Sequence, residues 1–204
     1  MVLKLILASA SPRRAEILRN AGIRFEVCSS DVDESRLDNE SPGEYVRRLA
    51  LVKALAAADK NPALGVAALI IGADTVVVVD DDVLGKPASR DDAKRMLRSV
   101  SGRVHEVHTG LALMQTSGMQ QRVVEEITRV HFAHLNDQEI EDYIATREPF
   151  DKAGAYAIQG IGGRFVNRVE GCYFNVMGLP LARLWSLLRD FGLENSAENQ
   201  NNTK

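Results

Sequence analysis

The chain has 204 residues, enough for one large domain or two closely joined lobes. Hydrophobic residues make up 45% and charged residues 26%, an ordinary balance for a globular protein. The net charge of −3 provides no overall basic field to hold a nucleic acid, yet a local basic pocket can still take a small anion.

In chain order, Leu3 to Ala8 reads as a buried strand. The segment from Met1 to Ser11 loosely mimics a signal peptide, but its apolar stretch is short and Lys4 interrupts it. Ser11 to Asn20 reads as a helix with Ser11 as N-cap, Pro12 at the first helical position and Gly22 just past its end. Phe25 to Ser29 is a strand, followed by a polar acidic loop. Pro42 to Lys60 is a long helix whose inner stripe is Tyr45, Leu49, Val52 and Ala56. Ala68 to Val79 is nearly continuously apolar, as in a central strand covered on both faces. Asp91 to Ser99 is a helix, and His105 to Met114 and Arg122 to Phe132 are two strands around a polar turn. Asn136 to Thr146 is a helix capped by Asn136, and Arg164 to Val169 and Tyr173 to Val176 are short strands. Pro180 to Asp190 is the closing helix, and the polar tail from Glu194 is expected to be disordered.

This order predicts an α/β fold with a mixed sheet. No linker divides the chain, so any two lobes share a core. No run reaches the length of a transmembrane helix. Cys28 and Cys172 form no CxxC pair and read as buried thiols in a reducing, cytoplasmic compartment. His105 with His108, and His131 with His134, are spaced by three, which on a strand puts partners on opposite faces and argues against a metal site.

Several segments carry chemistry. Ser9-Ala10-Ser11-Pro12-Arg13-Arg14 joins the first strand to the first helix. Amides at a helix start attract phosphate, and two arginines there oppose the helix dipole unless an anion binds; the alternative is a pair of exposed arginines. In Gly72-Ala73-Asp74-Thr75, a carboxylate sits among Ile70, Ile71, Val76 and Val77, where burial is costly unless the group is paired or metal-bound. A local turn that splits two shorter strands is the alternative. Gly85-Lys86-Pro87 offers one ammonium on a constrained loop, and no GxxxxGK[ST] pattern exists to make a P-loop. Lys53 lies at the margin of its helix stripe, either snorkelling to solvent or reaching into a cleft. Asp31-Val32-Asp33-Glu34 either faces solvent or supplies carboxylate oxygens to Mg²⁺, with Glu34 joining Asp74. Asp151-Lys152-Ala153-Gly154-Ala155-Tyr156-Ala157-Ile158-Gln159-Gly160 packs charge, small residues and an amide together. Gln159 can donate and accept, as reading a base edge requires, unless the segment is only a glycine-rich surface loop.

Together these segments, with Ser101-Gly102, His108-Thr109-Gly110 and Gly178-Leu179-Pro180-Leu181, resemble the Maf family of nucleotide pyrophosphatases from Leu5 to about Leu193. The resemblance implies a fold like that of inosine-triphosphate pyrophosphatases: a long twisted mixed β-sheet flanked by helices, with a central cleft between two lobes. It implies hydrolysis of a nucleoside triphosphate to the monophosphate and pyrophosphate, a divalent metal cation (Mg²⁺ or Mn²⁺) and a homodimer. It also implies a role in cleansing nucleotide pools and restraining septum formation. Asp74-Thr75 and Ile158-Gln159-Gly160 match the dTTP/UTP branch, whereas a 7-methyl-GTP branch has Asp-Gln and a different later segment. The resemblance makes Asp74 catalytic, Glu34 and Asp74 metal ligands, and Arg13, Thr75 and Gln159 determinants of the base. Ser9, Arg14, Lys53, Lys86 and Lys152 are expected at the phosphates. The rival readings are the 7-methyl-GTP enzyme on the same scaffold and a non-catalytic nucleotide-binding regulator of septum formation. A nucleic-acid-binding module is weaker, because no aromatic and basic platform is present, and no membrane partner is expected.

Overall fold

The computed structural model describes residues 4–29, 31–60, 68–116 and 120–193. The tail from Glu194, expected to be disordered, lies outside them. Strands β1 (Lys4–Leu7), β2 (Glu26–Val27), β3 (Ala68–Val79), β4 (Asp82–Leu84), β5 (Val104–Gln115), β6 (Gln121–Phe132) and β7 (Val166–Glu170) form one mixed sheet in the order β2-β1-β3-β5-β6-β7. Helices α1 (Pro12–Asn20), α2 (Pro42–Lys60), α3 (Arg90–Val100), α4 (Asp137–Ala145), α5 (Tyr173–Val176) and α6 (Leu181–Asp190) flank it.

β3 organises the molecule. On one side it pairs with β5 from Leu69 to Val78. On the other it pairs in parallel with β1 as far as Ile71, and again with β4 from Val77 onward. β4 returns through Asp80 and Asp81, both at positive φ, the conformation a two-residue hairpin needs and aspartate tolerates. Among the described residues no strand therefore stands beside the edge of β3 over residues 72–76, and a cleft opens there.

The two faces of β3 differ. Leu69, Ile71 and Ala73 join one apolar cluster with α1 and α6, and Val77 and Val79 join another with α3 and α4. Thr75 falls between the two clusters, as does its register partner Thr109 on β5. The opposite face, with Ile70, Gly72, Asp74 and Val76, lies beneath α2.

α2 lies on the sheet at backbone distance. A Cβ on Gly72 would stand 1.9 Å from the carbonyl oxygen of Ala50, and one on Gly110 would stand 2.0 Å from that of Val46. Gly110 is the register partner of Asp74. This contact rotates the helix from the expected orientation. Its buried stripe is Val46, Leu49, Ala50, Lys53, Ala54 and Ala57, so Lys53 belongs to the inner face rather than its margin. The acidic loop before α2 is tied to it by Arg48, which donates to Glu40 Oε1 at 2.6 Å, to Oε2 at 2.8 Å and to the Ser35 carbonyl at 2.9 Å.

Most expected elements form, and Asn136 and Glu139 build a reciprocal capping box at α4. Tyr173–Val176 is one helical turn, not a strand. Four residues carry too little periodicity to separate the two, and the turn brings Asn175 over the sheet to donate to the Val107 carbonyl. β7 starts only at Val166, after a 3-10 turn over Ile161–Phe165. Cys28 and Cys172 are half-buried thiols rather than fully buried ones. Among the described residues no helix is long and apolar enough to cross a membrane.

Replacing Gly110 with Ala forces α2 away from the sheet and is expected to cost about 1–3 kcal/mol or more. Urea unfolding will register this as a lower midpoint at unchanged slope. A second expectation concerns acid. The hydrogen bonds from Arg48 lead the effects that hold the Glu40 carboxyl below its usual 4.5, against the opposing cost of burial. A carboxyl depressed in the folded state stabilises above its unfolded pKa and loses that contribution as pH falls through its folded pKa. Glu40→Gln should therefore be less stable than the parent at neutral pH, and the gap should narrow on acidification when unfolding midpoints are compared.

Candidate active site

The cleft has a volume of about 580 Å³, within the range of small-molecule sites. It is bounded by the β1–α1 turn, the uncovered edge of β3, the Gly85–Lys86 loop and the 151–159 segment. All ten residues singled out in the sequence line it: Ser9, Arg13, Arg14, Glu34 and Lys53 with Asp74, Thr75, Lys86, Lys152 and Gln159.

At one end the charges are acidic. The Lys53 ammonium lies 2.6 Å from Asp74 Oδ1 and 2.7 Å from Glu34 Oε1. Lys53 and Asp74 are both buried, so each supplies the partner that makes the other's burial tolerable. The geometry follows from the glycine contacts: α2 sits low over Gly72, and Lys53, one turn beyond Leu49, arrives above Asp74. Tyr45 adds a support that the sequence did not reveal. Its hydroxyl donates to the Glu34 carbonyl at 2.7 Å and steadies the acidic loop. Burial raises the Tyr45 phenol pKa most, and the charges of Asp74 and then Glu34 add to it, a sign of the negative potential at this end.

The other walls are basic. Lys86 is exposed, and Lys152 pairs with Asp151. The Gly154 amide donates to the Gly85 carbonyl at 3.0 Å, which brings the two lysine-bearing segments together. Arg13 is half-buried and reaches Asp151 at 3.5 Å; burial lowers its pKa, while the Asp151 charge opposes that. No side chain caps α1, so the amides of its first turn keep their anion-binding capacity beside Arg13.

Arg14 stands differently from expectation. It is buried and directs its guanidinium to the protein: Nε to the Gly178 carbonyl at 2.7 Å, Nη1 to Ser9 Oγ at 3.1 Å and to the Ala73 carbonyl at 2.9 Å, and Nη2 to Thr75 Oγ1 at 3.0 Å. These take four of its five donors. Burial pushes its pKa down, with the Asp74 charge opposing. Arg14 thus ties β1, β3 and the turn before α6 behind the cleft, and one N–H remains for a phosphate. Thr75 is engaged in the same network, 2.9 Å from Thr109 Oγ1. Ser9 Oγ accepts from Arg14 and from the Ser11 amide at 3.2 Å, leaving its own O–H as a donor.

Thr109 and Asn175 complete this polar belt. Thr109 was singled out in the sequence only as part of the His108-Thr109-Gly110 motif, with no role given to it; Asn175 was missed, hidden in a segment read as extended. Gln159 is exposed and lines the cleft. The histidines serve elsewhere: His105 contacts Tyr156 at 2.8 Å, and His108 on the opposite face lies 2.6 Å from Glu125. Among the described residues no group of three or more His, Cys, Asp or Glu could hold a metal ion, and the Glu34 and Asp74 carboxylates meet as a pair on the Lys53 ammonium.

A protein of Acetivibrio thermocellus named dTTP/UTP pyrophosphatase is 50% identical, covering 94% of this chain and 97% of its own. Proteins of the same name from Desulforamulus reducens and Clostridioides difficile are 48% and 44% identical, each covering 93% of this chain and 97% and 95% of their own. The Staphylococcus aureus Ham1 protein shares the fold, with a TM-score of 0.53 at 15% identity over 92% of this chain and 99% of its own. The inosine-triphosphate-pyrophosphatase-like architecture implied by the sequence is thus the one observed. The family model described as Maf-like protein matches residues 4–191, and the chain belongs to that family.

Proposed function

We propose that this protein hydrolyses dTTP and UTP to the monophosphate and pyrophosphate, in the cytoplasm, with a divalent cation. The observation that carries the reading is the segregation of charge in one cleft. Asp74 and Glu34 converge on a single cation at one end, while Arg13, Lys86 and Lys152 line the walls beyond it. A triphosphate with its counter-cation has the matching distribution. The names of the relatives supply the substrate class, and Gln159 in the cleft wall supports it, since its amide can both donate to and accept from a base edge.

The donor set suits the metal. Two carboxylates that meet within 2.7 Å of one positive charge suit Mg²⁺ or Mn²⁺ when phosphate oxygens and water complete the shell. When bound there, the ion supplies Lewis-acid neutralisation of the phosphate charge. Asp74 orients the attacking water toward the α-phosphorus and takes its proton. The bond from the α-phosphorus to the bridging oxygen breaks, and pyrophosphate leaves with that oxygen. Lys53 holds Asp74 in place and, with Lys86 and Lys152, balances the charge of the leaving group. Arg13 and the uncapped start of α1 bind the outer phosphates. Arg14 fixes the floor through Ser9, Ala73 and Thr75 and contributes at most one donor to substrate.

Asp74→Asn leaves Lys53 its Glu34 partner at 2.7 Å, so it should stay folded at some cost in stability while losing at least about 10²–10⁴-fold in kcat, the range for a removed general base. Turnover near the parent value in excess Mg²⁺ overturns the assignment. Chelation with EDTA should abolish pyrophosphate release, and Mg²⁺ or Mn²⁺ should restore it. In a panel of dTTP, UTP, 7-methyl-GTP and purine triphosphates, dTTP and UTP should give the highest kcat/KM. Preference for 7-methyl-GTP would move the chain to the other branch, and tight binding without pyrophosphate release would leave it a non-catalytic binder.

A further inference from the structure

Gln159 lies on a loop, and loops position side chains poorly unless something anchors them. Here the anchors flank it. Tyr143, wholly buried on α4, has its hydroxyl 3.1 Å from the Ala157 amide, from which it accepts, and 2.7 Å from Glu148 Oε1, to which it donates. Glu148 Oε1 also accepts from the Gly162 amide at 2.9 Å, and Oε2 accepts from the Ile161 amide at 2.9 Å. Only residues 158–160 run between these attachment points, and Gln159 is the middle one. The loop is shaped to the carboxylate. A Cβ on Gly160 would stand 2.1 Å from Glu148 Oε2, and one on Gly162 would stand 2.4 Å from the Tyr143 hydroxyl. The carboxyl is held below its usual pKa: burial, the largest effect, raises it, and the hydrogen bonds from Gly162, Tyr143 and Ile161 outweigh that.

We propose that Glu148 is a positioning residue for base selection: with Tyr143 it clamps the loop on both sides of Gln159 and so sets where the amide meets the nucleobase. The inference rests on the reading of Gln159 as the base-facing residue. Glu148 touches neither Asp74 nor Lys53, so the clamp acts on discrimination rather than on the chemical step. The carboxylate is required as an anion. An amide at this position has one oxygen for three donors, and its NH₂ would face a backbone N–H that needs an acceptor.

The experiment compares Glu148→Gln, Tyr143→Phe and Gln159→Ala with the parent in steady-state kinetics. The substrates are UTP, dTTP and GTP, with inorganic tripolyphosphate as a competitive inhibitor that lacks a base. Glu148→Gln should raise KM for UTP and lower the UTP-over-GTP ratio of kcat/KM by roughly tenfold, the scale of one lost hydrogen bond to a charged group. Its kcat should change far less; because the Glu148 charge also acts on Arg13 and Lys152, inhibition by tripolyphosphate is read in Tyr143→Phe, which keeps that charge, and should stay unchanged there. Tyr143→Phe keeps the ring in the core and should move the ratio the same way; it carries the test alone if Glu148→Gln does not fold. Should Gln159→Ala alter the ratio while neither clamp variant does, the clamp is overturned and the reading of Gln159 stands. If none of the three alters the ratio, both fall. If Glu148→Gln lowers only stability or active fraction, with KM and the ratio unmoved, its role is structural and the proposal is wrong.

Discussion

The backbone of α2 rests directly on the sheet, its Ala50 and Val46 carbonyls occupying the space that side chains at 72 and 110 would fill. Much of the site follows from that contact. It sets the height and rotation of the helix, which puts a lysine rather than an alanine over Asp74. It buries both charges far enough that neither is stable there without the other. It also gives the preceding loop a fixed helix to attach to, so that Glu34 reaches the same ammonium from a different part of the chain. One of the two carboxylates is thus held by a central strand and the other by a loop.

The opposite face of β3 solves a different problem. Two apolar clusters meet there, and polar groups run along the seam between them: Thr75, Thr109, Asn175 and the guanidinium of Arg14. A buried arginine is costly without acceptors. Here it finds two carbonyls and two hydroxyls, at the end of β1, on β3 and in the turn before α6. The seam therefore ties the halves of the molecule at the back of the cleft while Lys86 and Lys152 line its walls.

Much of this was legible in the residues, and the reasons are local. The long apolar run of β3, the capping box at Asn136 and the proline at the start of α1 each state their structure within a few positions. Asp74, Arg13 and Arg14 were conspicuous because charge in an apolar strand or at a helix start is costly, whereas Thr75 and the choice of base were read only from the family resemblance. What could not be read depends on distant contacts. The rotation of α2 is decided by glycines on other elements, so helical spacing alone placed the stripe one residue off. The turn at Tyr173–Val176 is too short for periodicity to speak. Arg14 and its neighbour Arg13 look alike in sequence, and only the fold buries one and leaves the other beside the cleft.

The uncovered stretch of β3, five residues from 72 to 76 between the end of β1 and the start of β4, has a consequence for solubility. An unpaired strand edge is ordinarily a template on which other chains can assemble. This one is recessed between two neighbours, shorter than a stable intruding strand, and its Ala73 carbonyl is already occupied by a cation. The protein thereby offers bare backbone to a small ligand while denying it to another polypeptide. Shortening β1 or β4 would widen the opening for larger guests and, in the same step, weaken that protection against aggregation.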